Sequence, residues 1–444
     1  MTLSTRVRRV LSAAALMLLP LALVLSGCDS DDGMTGTTPP SVGDQVSYDL
    51  SAQNNSGVTG TVTFWRAGPD TTLVTLDLDP SATNSNVSHP AHIHLNSVSE
   101  GGGVEYYLSA VNGSSPNGTT ARKIGVPIED LATFDGHVNV HASPANLETV
   151  VAQGNIGANA EGTDGSGLNF VDSPRATTYP LNASTTQGSV LSEGIPGTVR
   201  FEELTSSQTL VTYALDTGGS VENYVGSDVT VAQIGHIHEN TVAEGGKIVS
   251  GPFSGYLGSV APTDPAARSS RIINASFDEL TSYDGYVNIH QSNANTQYVF
   301  AQGNIGANAI DATIEVNNQG TAAWEVTDVR GESGVASTGT DNPSFSLTVG
   351  HRYRIDNNAG LGAHPFALET GTDGDYLLRQ EPDKSGRFED TPDVRYVEDD
   401  EGITFTFTQA LADEVAAYQC TFHGSMEGGV GTSDSGNGGG GGGY

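Results

Sequence analysis

The stretch Tyr418-Gln419-Cys420-Thr421-Phe422-His423-Gly424-Ser425-Met426 gathers a thiol, an imidazole and a thioether at three-residue spacing. Cys420 is one of only two cysteines in the chain, and the other, Cys28, lies in a segment read below as processed and lipidated. No disulfide partner is therefore expected for Cys420. A thiolate, imidazole nitrogens and a weak axial thioether form a donor set suited to copper. A second imidazole is available at His364, in Gly362-Ala363-His364-Pro365-Phe366. A buried free cysteine with unrelated neighbours would explain the same string without a metal.

A second kind of candidate is built only of histidines. His92-Ile93-His94 and His236-Ile237-His238 place two imidazoles at i and i+2, hence on one face of a strand and about 7 Å apart at Cα. His141 and His290 close the strands Asp135-Gly136-His137-Val138-Asn139-Val140-His141 and Asp284-Gly285-Tyr286-Val287-Asn288-Ile289-His290. Three imidazoles per copy could converge on a transition metal, copper or zinc. Hydrogen bonding to the backbone or to one another is the first expectation for them, and ligation is the alternative. His89 and His137 align with Gln233 and Tyr286, so only the three-histidine set is shared.

The elements that must position these residues are strands. Short alternating apolar segments and glycine are abundant, while long apolar stripes of helical period are missing, so the chain is expected to be all-β. Its length suggests about three domains. The middle repeats itself. Gly60-Thr61-Val62-Thr63-Phe64 returns as Gly197-Thr198-Val199-Arg200-Phe201, and Ala152-Gln153-Gly154-Asn155-Ile156-Gly157-Ala158-Asn159 as Ala301-Gln302-Gly303-Asn304-Ile305-Gly306-Ala307-Asn308. Two modules follow, 44–160 and 178–308, with a Gly/Asp/Ser linker over 161–177. A third begins near Ala312 and runs to 431. It alternates through Ser344–Val349, His351–Asn357 and Ile403–Thr408, with an acidic, Gly-rich loop expected between Thr370 and Asp400. Residues 432–444 form a Gly-rich tail. His351 reads as a surface histidine and Trp324 as core.

Residues 1–27 read as a targeting segment, with Arg6, Arg8 and Arg9 ahead of the apolar run Leu11–Leu25. Residues 28–43 then form a disordered tether. Formal charge is −34, and removing the three arginines of the leader brings it near −37. The only lysines are Lys123, Lys247 and Lys384. So acidic a chain is suited to concentrated salt, as in a halophile, and repels nucleic acid.

Four resemblances follow from these motifs. Leu25-Ser26-Gly27-Cys28 resembles a bacterial lipobox. It implies an exported, membrane-anchored lipoprotein with lipid on Cys28, periplasmic or at the cell surface. The Cys-x-x-His-x-x-Met loop with its upstream histidine resembles the type-1 (blue) copper proteins, the cupredoxins, and among them amicyanin. Over 312–431 it implies a Greek-key β-sandwich holding one copper on His364, Cys420, His423 and Met426. Electron transfer with a redox protein partner, without substrate turnover, is the implied activity. The repeated modules resemble CHRD domains on their His-Ile-His, Asp-Gly-x-Val-Asn-x-His and Gln-Gly-Asn-Ile strands. That resemblance implies two tandem β-sandwiches and at most a protein-binding role. Their His-x-His is also similar to the copper ligands of Cu/Zn superoxide dismutase, but no intramolecular disulfide and no arginine over the metal can be placed. Two other functions stay open: a surface binding or adhesion protein with a scaffold C-terminal domain, and a protein that dismutates superoxide or stores copper on the modules' histidines.

Overall fold

Period-2 burial makes the strands. In Gln45–Ala52 the side chains of Val46, Tyr48 and Leu50 are buried while their neighbours are not, the alternation a half-buried strand requires. The same logic recurs through a computed structural model that describes residues 43–184, 194–218, 232–371, 375–381 and 386–433. The leader, Cys28, most of the tether and nearly all of the Gly-rich tail lie outside these residues. The chain is all-β, with three short α-helices among the described residues.

The first module is two sheets over one core. Gln45–Ala52, Gly60–Gly68, Thr71–Leu78 and Thr119–Ile124 form one of them. Val104–Tyr107, Ala91–Leu95, Asp135–Ser143 and Asn146–Gly157 form the other. The end of Gln45–Ala52 crosses over to pair with Asn146–Gly157. Segment 161–177 contributes a strand of its own, Thr163–Gly165, paired with Gln45–Ser47.

The second module repeats this plan. Ala176–Ala183, Gly197–Thr205, Gln208–Leu215 and Arg268–Ile273 make its first sheet. Tyr256–Val260, Gln233–Glu239, Asp284–Ser292 and Asn295–Gly306 make its second. The repeated closing string has a backbone reason. Gly157 and Gly306 adopt φ of 58° and 56°, and a Cβ there would meet the Phe134 or Tyr283 carbonyl.

The two modules meet through equivalent residues. Ala121 pairs with Ser270 and Ala110 bridges Ser259, and in each pair the partners differ by the 149 residues that also relate Asp135 to Asp284. Antiparallel contact between like positions is the signature of a local two-fold axis. Leu73, Ala121, Leu204 and Leu210 form a small shared core there. Arg122 reaches across to the buried carboxylate of Asp264 at 2.6 Å, while its counterpart Arg271 reaches Ser115 at 2.7 Å.

Residues from Ala312 onward build two further sheets around a third core. Ala323–Gly331, Ala312–Gln319, Arg352–Asn357, Gly402–Thr406 and Val397–Asp399 lie side by side in one. Phe345–Leu347, His423–Thr432, Ala417–Cys420, Phe366–Glu369 and Tyr376–Arg379 form the other. The stretch expected as a long loop between Thr370 and Asp400 is therefore partly structured. Tyr376–Arg379 extends one sheet, because Leu377 and Leu378 bury against this core, and Val397–Asp399 extends the other.

Candidate metal centres

Cys420 ends the strand Ala417–Cys420, and His423 begins His423–Thr432. Phe366 pairs with Cys420, so His364, two residues earlier, arrives beside the tight turn that joins those strands. The Thr421 amide donates to the Pro365 carbonyl at 3.1 Å and ties the two segments together. Cys420 Sγ lies 3.4 Å from His423 Nδ1 and 3.7 Å from His364 Nδ1. Donors around one ion at tetrahedral angles, with bonds of ~2.0–2.3 Å, sit on the order of 3.6 Å apart. Met426 is fully buried in the same core. Thiol and imidazoles are thus already spaced as a ligand set.

A polar cradle holds His364. Its carbonyl accepts from Asn357 Nδ2 at 2.7 Å, and the same amide donates to Gln380 Oε1 at 2.8 Å. On the far side, Asn342 Oδ1 accepts from the Trp324 amide at 2.8 Å and Asn342 Nδ2 donates to the Ser425 carbonyl at 3.1 Å. Burial, then the neighbouring His423, lowers the His364 pKa, which favours the neutral imidazole a metal needs. Burial raises the Cys420 thiol, against which the Phe422 and His423 amides act by hydrogen bonding to sulfur.

The histidine sets come together as well. Ala91–Leu95 and Asp135–Ser143 are neighbours, with His92 opposite Asn139 and His94 opposite His137. Directly opposed residues share a face, so His141, two beyond Asn139, joins His92 and His94. Ile93, Val138 and Val140 turn the other way into the core. In the second module His236 opposes Asn288, His238 opposes Tyr286 and Ile234 opposes His290. One nitrogen from each of His92, His94 and His141 lies within 4.8 Å of the others, and His236, His238 and His290 match this. Burial, followed by repulsion from neighbouring rings, pushes His92 down to about 3. Burial likewise pushes His290 down to about 4 and His236 well below its ordinary value.

The walls of these clusters contain residues that the motifs did not single out. Tyr107 and Tyr256 stand edge-on to His92 and His236, each at 5.0 Å between ring centres. They occupy equivalent positions at the 149-residue offset, so extending the repeat alignment would have found them. His137 and Tyr286 stack on His94 and His238. His137 and His89 each bond a backbone carbonyl, of Asn96 and His141 respectively. His351 is partly exposed and pairs with Glu332 at 2.9 Å, and Trp324 is fully buried. Compared with known proteins, the chain matches no family model and no curated sequence.

Proposed function

We propose that the chain is an exported, lipid-anchored copper protein whose C-terminal module passes single electrons to and from a redox protein. The observation that carries this reading is the approach of His364 Nδ1 and His423 Nδ1 to Cys420 Sγ, with Met426 buried in the same core. The loop resembles that of the cupredoxins, and the repeated modules resemble CHRD domains. Copper on a thiolate, two imidazoles and a thioether supplies one-electron chemistry.

The protein's part is to hold these donors still. Cys420 and His423 are held in register by paired strands, and His364 by the Asn357–Gln380 cradle and the Thr421–Pro365 bond. Donors fixed in this way move little when the charge at the centre changes, which suits electron transfer. Cys420, His364 and Met426 are buried, whereas His423 is only partly so and follows the exposed Phe422. Electrons would enter and leave at the His423 edge.

Copper-loaded protein should be intensely blue, and Cys420→Ser should abolish the colour while the β-rich circular dichroism persists. A colourless wild type that retains no copper at this module would sink the electron-transfer reading and leave a scaffold in a surface-binding protein. The anchor is tested separately. Cys28→Ala should release the protein from the membrane fraction or block its processing, and unchanged membrane association would rule out lipid on Cys28 as the anchor.

A further inference from the structure

Ordinary hydrogen bonding leaves the histidine clusters of the two repeated modules poorly explained. A neutral imidazole has one N–H to give and one lone pair to fill. In the first module His92 Nδ1 and His141 Nε2 lie 3.1 Å apart and could satisfy one another. The second module has no such pair among the described residues. Both ring nitrogens of His236 are buried without a hydrogen-bond partner, and the His290 ring, equally buried, meets only the Thr296 carbonyl, which can serve one of its two nitrogens. His94 Nε2 and His238 Nε2 are buried and unpartnered too. Buried polar atoms without partners are uncommon, and a group of them facing one another points to something they share, such as an ion.

The remaining ring atoms show which way the lone pairs face. His94 Nδ1 lies 3.1 Å from the Gly102 carbonyl, and His238 Nδ1 lies 3.1 Å from the Gly246 carbonyl. A carbonyl can only accept, so Nδ1 carries the proton and Nε2 keeps its lone pair for the cluster. Fixing the tautomer of a ligand through its other nitrogen is what metal sites require.

The arrangement is also built twice. Ring centres of the three pairs lie 5.7, 5.0 and 6.2 Å apart in the first module and 5.9, 5.0 and 5.8 Å apart in the second. This holds although His137 in one wall is replaced by Tyr286 in the other.

We propose that each module holds one transition-metal ion of the zinc or copper class, on His92, His94 and His141 in the first and on His236, His238 and His290 in the second. The class follows from the donors. Three neutral nitrogens with no carboxylate in the set suit zinc and copper and disfavour calcium or magnesium, which need oxygen. Three protein ligands leave a further position for water or a small ligand. The proposal stands apart from the C-terminal centre, since no residue is common to both.

The test uses zinc, which gives no colour at a thiolate site and so reads independently of the electron-transfer proposal. In the full chain carrying Cys420→Ser and His364→Ala, we expect two zinc ions per chain after chelator stripping, reloading and desalting, measured by elemental analysis. Adding His94→Ala or His238→Ala should remove one ion each, and adding both should remove both. No retained zinc in the parent double variant, or two ions that survive both added substitutions, would overturn the proposal. Should a histidine variant fail to fold, the parent double variant answers without it, because ligands that bind only the native state raise its melting temperature. A zinc-dependent rise in that double variant supports the sites, and a Tm there indifferent to zinc refutes them.

Discussion

Asn342 has a non-glycine φ of 47°, a left-handed conformation that asparagine tolerates better than most residues. Its side chain joins the Trp324 amide to the Ser425 carbonyl and so braces the strand that carries His423 and Met426. Asn342→Ala removes both bonds and keeps an L side chain in a left-handed position, and should destabilise the protein by about 1–3 kcal/mol. Asn342→Gly relieves the backbone but not the lost bonds, so its loss should be smaller. Urea midpoints of the C-terminal transition measure both, and equal midpoints for the wild type and both variants would remove Asn342 as a brace. The candidate ligands were legible in the sequence because Cys420, His423 and Met426 recur at three-residue spacing around one tight turn and the strand that follows it. Asn342, Asn357 and Gln380 were not, since an amide becomes a brace only when the fold brings it a distant partner.

At the level of elements, the repeat was plain from the strings that recur, but its consequence was not. Two like modules joined by a polar linker are compatible with independent beads. Here equivalent strands instead pair across a local two-fold, and the segment read as linker adds a strand to the first module. The contact is self-complementary in plan but not in charge, because Arg122 finds Asp264 where Arg271 finds Ser115. Side chains of Arg122 and Asp264 are 5% and 2% exposed, so solvent does not compensate the loss of either. Asp264→Ala should therefore cost about 3–5 kcal/mol, because it strands a buried guanidinium. Arg122→Met combined with Asp264→Leu should recover most of that loss, since apolar replacement of a buried pair is often neutral. Chemical denaturation of the three proteins provides the measurement. A single-variant loss below about 1 kcal/mol, the range of exposed pairs, would show that water reaches the contact.

For the whole molecule, the question is which sign of electrostatics wins when salt is added. Eighteen basic residues face 52 acidic ones. Many arginines are already paired at the surface, as in Arg175 with Glu203 and Asp278, and Arg354 with Asp356 and Asp399. Salt weakens those attractions, but exposed pairs are worth only about 0–1 kcal/mol each. Salt also weakens the repulsion among the acidic groups left without a cation, which acts over the whole compact surface and is relieved when the chain unfolds and expands. The screening length falls from about 10 Å at 0.1 M to about 3 Å at 1 M, so most of this relief is gained by molar salt. With unpaired acids far outnumbering pairs, the repulsive contribution dominates. The melting temperature should therefore rise from low to molar sodium chloride, followed by circular dichroism in chelator to keep metal binding constant. Chloride is used because sulfate would also strengthen apolar burial and mask the electrostatic effect. A flat or falling curve would show that the acidic surface is balanced by its ion pairs and is not an adaptation to concentrated salt.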